Sequence, residues 1–433
     1  MRRLNTFALL CSLTLVFVLL STSTSRANEN DLQDWLQSNA MPFTTDDPTG
    51  DLSDLASLSD MVGDARIVSL GEGTHGTAEF FRMKHRILRY LVEEEGFRVF
   101  LIEANMPETI AVNEYVLEGE GSARDGIDSM GFWTWRTQEI LNMIEWMREW
   151  NISNPDDPVY FHGFDSQTRY HDGLERFLGY LDTVDLAYAD SIREDIQCFS
   201  GAEYTPVTVT DDCQDILMSI AQAYSEEESA YIEASSTFDY ILHRQILITL
   251  ITVTNLVGTD DTDYFNIRDR AMADHVIAFA EELFPEERFV LWAHNGHVAE
   301  SADDVTPMGH NLHNHFGDDY LSVGFAFKNG DFNAISFIDG EYGALRSMTV
   351  LPLIEGSHET IFASADIPRY ILDLRVEEGT LAHAWLSESY YFRYIGALYN
   401  PSAETEEFTY PTVLYGTFDL MIYFEDTSPS VLL

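Results

Sequence analysis

The sequence predicts an α/β fold in which a central, mostly parallel β-sheet is flanked by helices. The main observation is that short apolar runs, typical of strands, alternate along the chain with longer segments of helical periodicity. The composition agrees, because 45% of the 433 residues are hydrophobic and 13% are aromatic. A chain of this kind can bury a sizeable core, which excludes an intrinsically disordered protein.

The first βαβ unit lies near residue 70. Residues 67–70 form an apolar run, residues 71–76 a glycine-rich turn, and residues 77–95 a segment with apolar side chains at helical spacing. A second apolar run follows at residues 99–102. This order predicts a strand, a helix and a second strand parallel to the first.

The alternation continues through the rest of the chain. Further strands are predicted at residues 159–161, 289–292, 321–327, 334–338, 370–374 and 418–424, and further helices at 108–117, 137–150 and 265–283. Because Asn-Gly is a strong turn dipeptide, Asn329-Gly330 predicts a hairpin between two of these strands. Residues 170–260 are mostly helical and predict a helical insertion or subdomain.

Residues 1–27 have the pattern of a signal peptide. Two arginines precede an apolar stretch at residues 7–20, and small residues then lead to Ser25-Arg26-Ala27, an A-x-A-like cleavage site. The stretch is short for a membrane-spanning helix, and an uncleaved anchor is the alternative. We therefore expect a secreted or periplasmic protein with one mature domain at residues 28–433.

The chain is strongly acidic, with 73 acidic and 24 basic residues and a formal net charge of −49. The acidic residues are scattered along the chain, and lysine occurs only at positions 84 and 328. Such a surface repels nucleic acid and anionic lipid, so we expect no nucleic-acid partner and no membrane partner after signal removal. An acidic surface of this kind suits high salt and indicates a halophilic or marine source. The oligomeric state is left open.

Two cysteines remain after signal removal, Cys198 and Cys213, on either side of a loop-like stretch. In an oxidising compartment they favour a disulfide, and two unpaired thiols are the alternative.

Candidate chemistry collects at the ends of predicted strands. Four apolar runs are each followed closely by an ionisable residue, namely Glu72, Glu103, Asp165 and His294. Ligands of open α/β sheets bind beyond the carboxyl ends of the strands, and a parallel sheet brings these ends to one edge. The sequence therefore predicts a ligand site at this edge.

The glycine-rich turn after the first strand contains Glu72 and His75. A histidine in such a loop can act as a general base, and a nearby carboxylate can select its tautomer. The alternative is that Thr74 or Thr77 caps the following helix while His75 is simply solvated.

A second histidine pair, His294 and His297, follows a later strand. These side chains could polarise an ester carbonyl or bind a metal, or they could be structural. The run His310, His313 and His315 resembles a set of metal ligands but follows no predicted strand, so we do not predict a metal site there.

The segment from residue 133 to residue 139 contains Trp135, Arg136 and Glu139. Its tryptophans could form an apolar ligand wall with Arg136 and Glu139 as polar anchors. The alternative is that Thr137 caps a helix and the tryptophans fill the core.

Several catalytic motifs are absent from the sequence. There is no Gly-x-Ser-x-Gly elbow, no P-loop and no dinucleotide fingerprint. Water activation by His75, without a cofactor, is therefore the mechanism that the residues favour.

The ordered set of motifs resembles the erythromycin esterase family over roughly residues 68–422. The matching segments are Gly71-Glu72-Gly73-Thr74-His75-Gly76, Ile102-Glu103, Trp133-x-Trp135-x-Thr137-x-Glu139, Gly163-Phe164-Asp165, Arg268-Asp269-x-x-Met272-Ala273, Trp292-Ala293-His294-Asn295-Gly296-His297, Gly356-Ser357-x-Glu359, Arg393-x-Ile395-Gly396 and Phe418-Asp419.

This resemblance implies an α/β fold with a deep cleft and metal-independent hydrolysis of a small-molecule ester or lactone. The family's base falls on His75, its supporting glutamates on Glu72 and Glu103, and its second-half histidines on His294 and His297.

The resemblance also bears on the side chains that we predict to bind substrate. Lys84 stands where macrolide esterases of the family have an arginine, and it keeps the charge without the planar fork. The full predicted set is Lys84, Trp135, Arg136, Glu139, Asp165 and Arg268.

Three functions are therefore compared. The first is an exported carboxylic ester hydrolase, of lactone type, in which His75 activates water. The second is a metal-dependent hydrolase or peptidase on the same Glu and His residues. The third is a non-catalytic exported protein that binds haem or another ligand.

Overall fold

The computed structural model describes residues 30–167, 171–196, 211–338 and 340–433. The predicted signal peptide and Cys198 therefore lie outside the described residues. Cys213 is disulfide-bonded.

The strands are numbered in chain order. They are β1 (Met41–Pro42), β2 (Ile67–Leu70), β3 (Val99–Asn105), β4 (Tyr160–Asp165), β5 (Phe289–Trp292), β6 (Tyr320–Ile338), β7 (Glu341–Thr349), β8 (Arg369–Asp373), β9 (Tyr390–Arg393), β10 (Leu398–Tyr399), β11 (Thr409–Thr412) and β12 (Leu420–Thr427).

The central sheet has the strand order β1-β8-β12-β6-β2-β5-β3-β4, while β9 and β11 form a separate pair. Every neighbouring pair from β12 to β4 in this order is parallel, and β8 is antiparallel to both β1 and β12. This arrangement confirms the predicted mixed α/β fold with a mostly parallel sheet.

The helices are α1 (residues 30–39), α2 (Leu58–Val62), α3 (Ala78–Glu95), α4 (Ile110–Glu118), α5 (Ala123–Met130), α6 (Gln138–Ser153), α7 (His171–Val184), α8 (Leu186–Ile192), α9 (Asp211–Glu226), α10 (Glu228–Ala234), α11 (Thr237–Leu256), α12 (Asp261–Ala278), α13 (Asn295–Val298), α14 (Met308–Phe316), α15 (His358–Ala363), α16 (Leu381–Leu386) and α17 (Glu404–Glu407). A π-helical turn, Phe279–Leu283, extends α12. Short 3₁₀ turns lie at Ser53–Leu55, Pro107–Thr109, Trp133–Trp135 and Gly317–Asp319.

The helices cover both faces of the sheet because its central strands are apolar on both sides. In β5, Phe289 and Leu291 belong to the core on one face, and Val290 and Trp292 belong to the core on the other. Strands buried on both faces have continuous apolar sequences, as parallel sheets require.

The region predicted as a helical insertion contains α7 to α11. Its buried side chains, such as Leu217 and Leu250, share one core with Ile67 and Leu101 of the sheet. These helices therefore share the core on one face of the sheet, where α11 packs against α12 and α12 packs against β4. Its description as an insertion or subdomain stays a prediction.

The predicted hairpin through Asn329-Gly330 is wrong. Strand β6 passes straight through this dipeptide, because Asn329 and Gly330 pair with Asp426 and Thr427 of β12. Gly330 adopts a φ of +130°, and a Cβ atom there would overlap with the Thr427 carbonyl of β12, so the close approach of the neighbouring strand requires glycine and no turn forms. The hairpin closes ten residues later, between Ile338 of β6 and Glu341 of β7.

The path of the chain creates a crevice between β2 and β5. After β2 the chain enters α3, which packs on one face of the sheet through Phe80 and Phe81. After β5 it continues to α14, which packs on the opposite face through Met308 and Leu312. Adjacent strands whose connections leave to opposite faces open a crevice at their carboxyl ends, where ligands of α/β proteins bind.

Within the described ranges, no helix is both long enough and apolar enough to cross a membrane.

Candidate active site

The four ionisable residues predicted to follow strands lie together at one edge of the sheet. Their strands are neighbours, in the order β2-β5-β3-β4. Glu72, Glu103, Asp165 and His294 are all buried. Glu103 lies inside β3, at a break in its register with β4. A break of this kind redirects a side chain out of the regular ladder.

Glu72 is the centre of the first half of the site. Its Oε1 lies 2.5 Å from Nδ1 of His75, and its Oε2 accepts hydrogen bonds from Nζ of Lys84 at 2.7 Å and from Nε1 of Trp292 at 2.9 Å. Both carboxylate oxygens are therefore occupied. Because Nδ1 of His75 donates to Glu72, the lone pair of the neutral ring is on Nε2.

Lys84 is fully buried behind Glu72. Its ammonium lies 4.3 Å from the centre of the Trp292 ring, a cation–π contact. Burial lowers the pKa of Lys84 to about 8, although the charge of Glu72 opposes this shift. The buried ammonium therefore contacts Glu72 and is shielded from solvent.

The loop that carries His75 is held by close backbone contacts. A Cβ atom at Gly71 would overlap with Oδ1 of Asn295. The backbone N–H of Asn295 donates to the Glu72 carbonyl at 2.9 Å, and that of Ile395 donates to the Gly73 carbonyl at 3.0 Å. His75 is 12% exposed and paired, so it is not the freely solvated side chain of the alternative interpretation.

Arg268 is the centre of the second half of the site. Its guanidinium forms a bidentate pair with Asp165, with both distances at 2.8 Å, and donates to Oε1 of Glu103 at 2.7 Å. Burial alone would lower the pKa of Arg268, but Asp165 and Glu103 raise it well above its ordinary value. A buried charge is tolerated when it is paired and hydrogen-bonded in this way.

His297 is held between two carboxylates. Its Nδ1 lies 2.9 Å from both oxygens of Asp269, and its Nε2 lies 3.3 Å from Oε1 of Glu103. Burial alone would lower the pKa of His297, but the charges of Asp269 and Glu103 outweigh it and raise the pKa to about 10. Nη1 of Arg268 also lies 3.0 Å from Nε2. Because two donors cannot share one hydrogen bond, the Nε2 proton of the protonated ring can be accepted only by Glu103 of these two neighbours.

Glu103 connects this cluster to His294. Its Oε2 accepts the backbone N–H of His294 at 2.8 Å. Burial alone would raise the pKa of Glu103, but the charges of His297, His75 and Arg268 hold it well below its ordinary value. The ionised carboxylate therefore fixes the backbone from which His294 projects.

His294 has the opposite electrostatic character to His297. Burial, followed by the neighbouring His75, holds the pKa of His294 well below its ordinary value, so the ring is neutral. Its Nδ1 accepts the N–H of Gly296 at 3.1 Å, which leaves the ring proton on Nε2. Nε2 is buried and bonds to no residue that the structure describes. The ring centres of His294 and His75 are 5.1 Å apart.

A cleft of about 510 Å³ opens beside His294. This volume falls within the range of small-molecule sites. Its lining residues are Phe265, His294, Gly296, Ala299, Ser301, Ala302, Asp303, Asp304, Val305, Tyr394, Tyr410, Pro411, Thr412, Val413 and Thr417. The cleft thus joins a buried hydrogen-bond donor to a largely apolar space.

The structure places the side chains of segment 133–139 in different surroundings. Trp135 is buried with its ring centre 6.4 Å from that of His75, whereas Arg136 pairs with Asp128 near the surface. Glu139 accepts the backbone N–H of Val431, and Thr137 caps α6. Trp135 therefore lies with the predicted site residues, whereas Arg136 and Glu139 contact other parts of the fold.

Several residues at the site were not singled out from the sequence. Asp269 holds His297, Trp292 and Asn295 fix the first loop, and Tyr394 lies with its ring centre 6.2 Å from that of His294. Asp269, Trp292 and Asn295 belong to the matched motifs. Their presence there was the available signal, but motif membership does not identify a contact.

No group of three or more His, Cys, Asp or Glu side chains in the described ranges is arranged to hold a metal ion. Of the three clustered histidines, His310 contacts the Glu300 carbonyl, His313 the Glu300 carboxylate and His315 Glu281.

The fold and these residues define an α/β protein with a histidine–carboxylate site at a strand-end crevice. A family model described as erythromycin esterase matches residues 92–427. The chain belongs to this family, which confirms the predicted resemblance.

Individual relatives share low sequence identity with this chain. The chain is 25% identical over 347 residues to the Escherichia coli erythromycin esterase type II, an alignment that covers 72% of this chain and 81% of the relative. It is 22% identical over 446 residues to a Bacillus subtilis protein named as a candidate hydrolase, with 97% and 96% covered. A crystal structure of a Bacillus cereus protein superposes with a TM-score of 0.81 at 26% identity, with 94% of this chain and 99% of that chain covered. The family and these names support a hydrolase.

The first prediction concerns the charge on His297. Its pKa is raised to about 10 in the folded state, against about 6.5 for an unfolded histidine. The bound proton therefore stabilises the fold fully below about pH 6.5, and this contribution is lost as the pH rises towards 10. Between pH 6.5 and 8, we expect the free energy of unfolding of the parent to fall relative to that of His297→Gln by up to about 1 kcal/mol per pH unit.

Urea denaturation of both proteins at several pH values in this range measures the difference. Above pH 8, deprotonation of Lys84, whose pKa is lowered to about 8, makes the free energy of unfolding rise with pH. The measurements therefore stop at pH 8. A His315→Gln variant is the control for loss of a surface histidine. If parent and His297→Gln change in parallel with pH, His297 does not carry the proton.

Proposed function

We propose that this protein is an exported, metal-independent hydrolase of carboxylic esters, lactones included, and that His75 activates the attacking water. The observation that carries the proposal is the arrangement of two histidines of different character. His75 donates Nδ1–H to the buried Glu72 and keeps a basic Nε2, while the neutral His294, 5.1 Å away between ring centres, offers an unpaired Nε2–H. One is a base and the other a hydrogen-bond donor.

In the proposed reaction, Nε2 of His75 takes a proton from water as the water oxygen bonds to the ester carbonyl carbon. The carbonyl electron pair moves to the oxygen and forms a tetrahedral oxyanion. When the oxyanion collapses, the bond to the alkoxy group breaks, and the imidazolium of His75 returns its proton to the leaving oxygen. Glu72 stabilises the imidazolium in between, as a carboxylate does in a catalytic triad.

His294 is the group that we assign to the oxyanion. A neutral imidazole that donates through Nε2 can bind a developing negative charge, and its burial makes that hydrogen bond stronger than it would be in water. Glu103 supports this role by holding the His294 backbone. His297, occupied on both nitrogens, acts in this proposal as a positioning residue for Glu103.

Three side chains predicted to bind substrate have a supporting role in this proposal. Lys84 holds and neutralises Glu72, and Arg268 with Asp165 does the same for Glu103. Since both carboxylates already have organic cations as partners, a metal ion is not needed to balance them. The metal-dependent and the ligand-binding alternatives are distinguished below by metal content and turnover.

The proposal that the protein is exported rests on the signal-peptide pattern of residues 1–27. The proposal of an acidic surface rests on the net charge of −49. When the full chain is expressed in a secreting host, we expect processed protein in the periplasm or medium, beginning near residue 28. N-terminal sequencing of the recovered protein tests this. Recovery of only unprocessed protein in the cytoplasm would contradict it.

The central prediction concerns His75. Its replacement by asparagine should lower turnover of a hydrolysed ester by about 10²–10⁴-fold, because a general base contributes a factor of this size. Asparagine keeps a hydrogen-bond donor beside Glu72, and the other oxygen of Glu72 stays paired with Lys84 and Trp292, so the change in thermal melting should be small. Turnover and melting of His75→Asn are measured beside the parent and beside His315→Asn, which removes a surface histidine.

Metal content is measured on the same samples, purified without a metal-affinity tag. In the proposed mechanism, chelators leave the parent active. Stoichiometric metal that disappears in His75→Asn would support the metal-dependent alternative. If His75→Asn keeps more than about a tenth of the parent activity, far above what loss of a base leaves, the assignment of His75 is wrong.

A substitution of Lys84 tests whether this residue supports Glu72 or binds substrate. Lys84→Met keeps most of the side-chain volume but removes the cation beside Glu72, so it should weaken the glutamate–histidine pair in the transition state. We expect kcat to fall by about tenfold or more with KM nearly unchanged, the pattern of an interaction that matters after binding. Steady-state kinetics of parent and variant on one ester provide both constants. A raised KM with unchanged kcat would show instead that Lys84 binds substrate.

A further inference from the structure

Two chain segments line the cleft beside His294 and form its walls, and they are joined by hydrogen bonds next to Glu300. Ala299 and Ser301 line one wall, and Val413 and Thr417 line the other. Glu300 donates its backbone N–H to the Thr417 carbonyl at 3.0 Å, and the hydroxyls of Ser301 and Thr417 are 2.7 Å apart. The shape of the cleft therefore depends on what holds Glu300 in place.

The side chain of Glu300 approaches Asp419 through one shared hydroxyl group. Oγ of Ser322 lies 2.7 Å from Oε1 of Glu300 and 3.4 Å from Oδ2 of Asp419. The same Oγ accepts the backbone N–H of Asp419 at 3.1 Å, and Oδ2 of Asp419 accepts the backbone N–H of Ser322 at 3.0 Å. Two carboxyl groups from different segments thus converge on a single serine.

When both acids are ionised, there is one hydrogen too few at Ser322, where the two carboxylates meet. The Ser322 hydroxyl has one hydrogen and can donate it to only one carboxylate. A proton on Glu300 removes the conflict, because Glu300 can then donate while Ser322 donates to Asp419. Glu300 is only 10% exposed, and two carboxylates that share a buried site cannot both ionise cheaply.

Of the other charged and titratable groups around the pair, only His313 contacts a carboxylate oxygen of Glu300 among the described residues. His313 lies 3.0 Å from Oε2 of Glu300 and is 46% exposed, and His310 contacts only the Glu300 carbonyl. Tyr320 donates its hydroxyl to the Val298 carbonyl, and Arg375, whose charge is felt at Asp419, pairs with Asp373. Burial, followed by the charge of Asp419, raises the pKa of Glu300 to about 8.

We propose that Glu300 and Asp419 share one proton and act as positioning residues that hold the cleft walls together, so that loss of this proton loosens the walls and weakens substrate binding. The effect on binding rests on the proposed esterase function. The effect on the walls does not.

The kinetic test compares the parent with Glu300→Gln, which keeps the shape of the protonated acid and cannot ionise. With p-nitrophenyl butyrate as the probe, KM of the parent should rise by about tenfold from pH 7 to pH 9, since the binding-competent fraction falls by that factor. KM of Glu300→Gln should stay nearly constant, while kcat follows the same pH profile in both proteins. His313→Gln, which removes the other contact of Glu300, is the matched control and should behave like the parent. A parallel rise of KM in the parent and in Glu300→Gln overturns the proposal.

The second test needs no activity and separates this proposal from the esterase assignment. Hydrogen–deuterium exchange of peptides that cover residues 299–305 and 413–419 is compared between parent and Glu300→Gln at each pH, which cancels the chemical pH dependence of exchange. The two proteins should match at pH 6.5, and the walls of the parent should exchange several-fold faster at pH 9. Equal exchange at both pH values overturns the proposal even if esters are hydrolysed. If Glu300→Gln does not fold, Asp419→Asn takes its place with the same expected outcomes.

Discussion

The pairing of buried charges is the constraint on which this structure depends. Four carboxylates lie at or behind the strand ends, those of Glu72, Glu103, Asp165 and Asp269, and all four side chains are nearly or fully buried. Three cations face them, namely Lys84, Arg268 and the protonated His297. Removing one member leaves an uncompensated charge in a low-dielectric interior, which costs far more than an exposed ion pair contributes.

This balance also favours the proposed chemistry. Four negative charges against three positive charges leave the cluster one positive charge short of neutrality. A proton taken up by His75, next to Glu72, supplies that charge. In the proposed mechanism, Glu72 is the member of the cluster that contacts the imidazolium of His75. His294 stays neutral because it is buried and because a proton on its ring would be repelled by a protonated His75 and by Lys84.

The strand order brings the two histidines together. His75 and His294 are more than two hundred residues apart in the sequence, but β2 and β5 are adjacent and parallel. Both loops therefore begin at the same edge of the sheet, and the ring centres of the two histidines are 5.1 Å apart. The second pair of strands, β3 and β4, supplies the carboxylates that hold Arg268. Basic residues are scarce in this chain of net charge −49. Two of them, Lys84 and Arg268, are nevertheless buried beside the strand ends.

The sequence by itself determined the α/β fold, the mostly parallel sheet and the edge at which the candidate site residues lie together. Strand and helix periodicities are local properties, and a residue that follows a parallel strand must lie at its carboxyl end, so Glu72, Glu103, Asp165 and His294 could be found without a structure. Tertiary structure alone decided the contacts. The pairing of Lys84 with Glu72, the position of Asp269 against His297 and the contact of Glu139 with Val431 depend on how separate elements pack. Asn329-Gly330 shows the same limit, because the neighbouring strand β12 pairs through it and overrides its local preference for a turn. Local patterns are set by neighbours in the chain, whereas hydrogen-bond partners are set by neighbours in space.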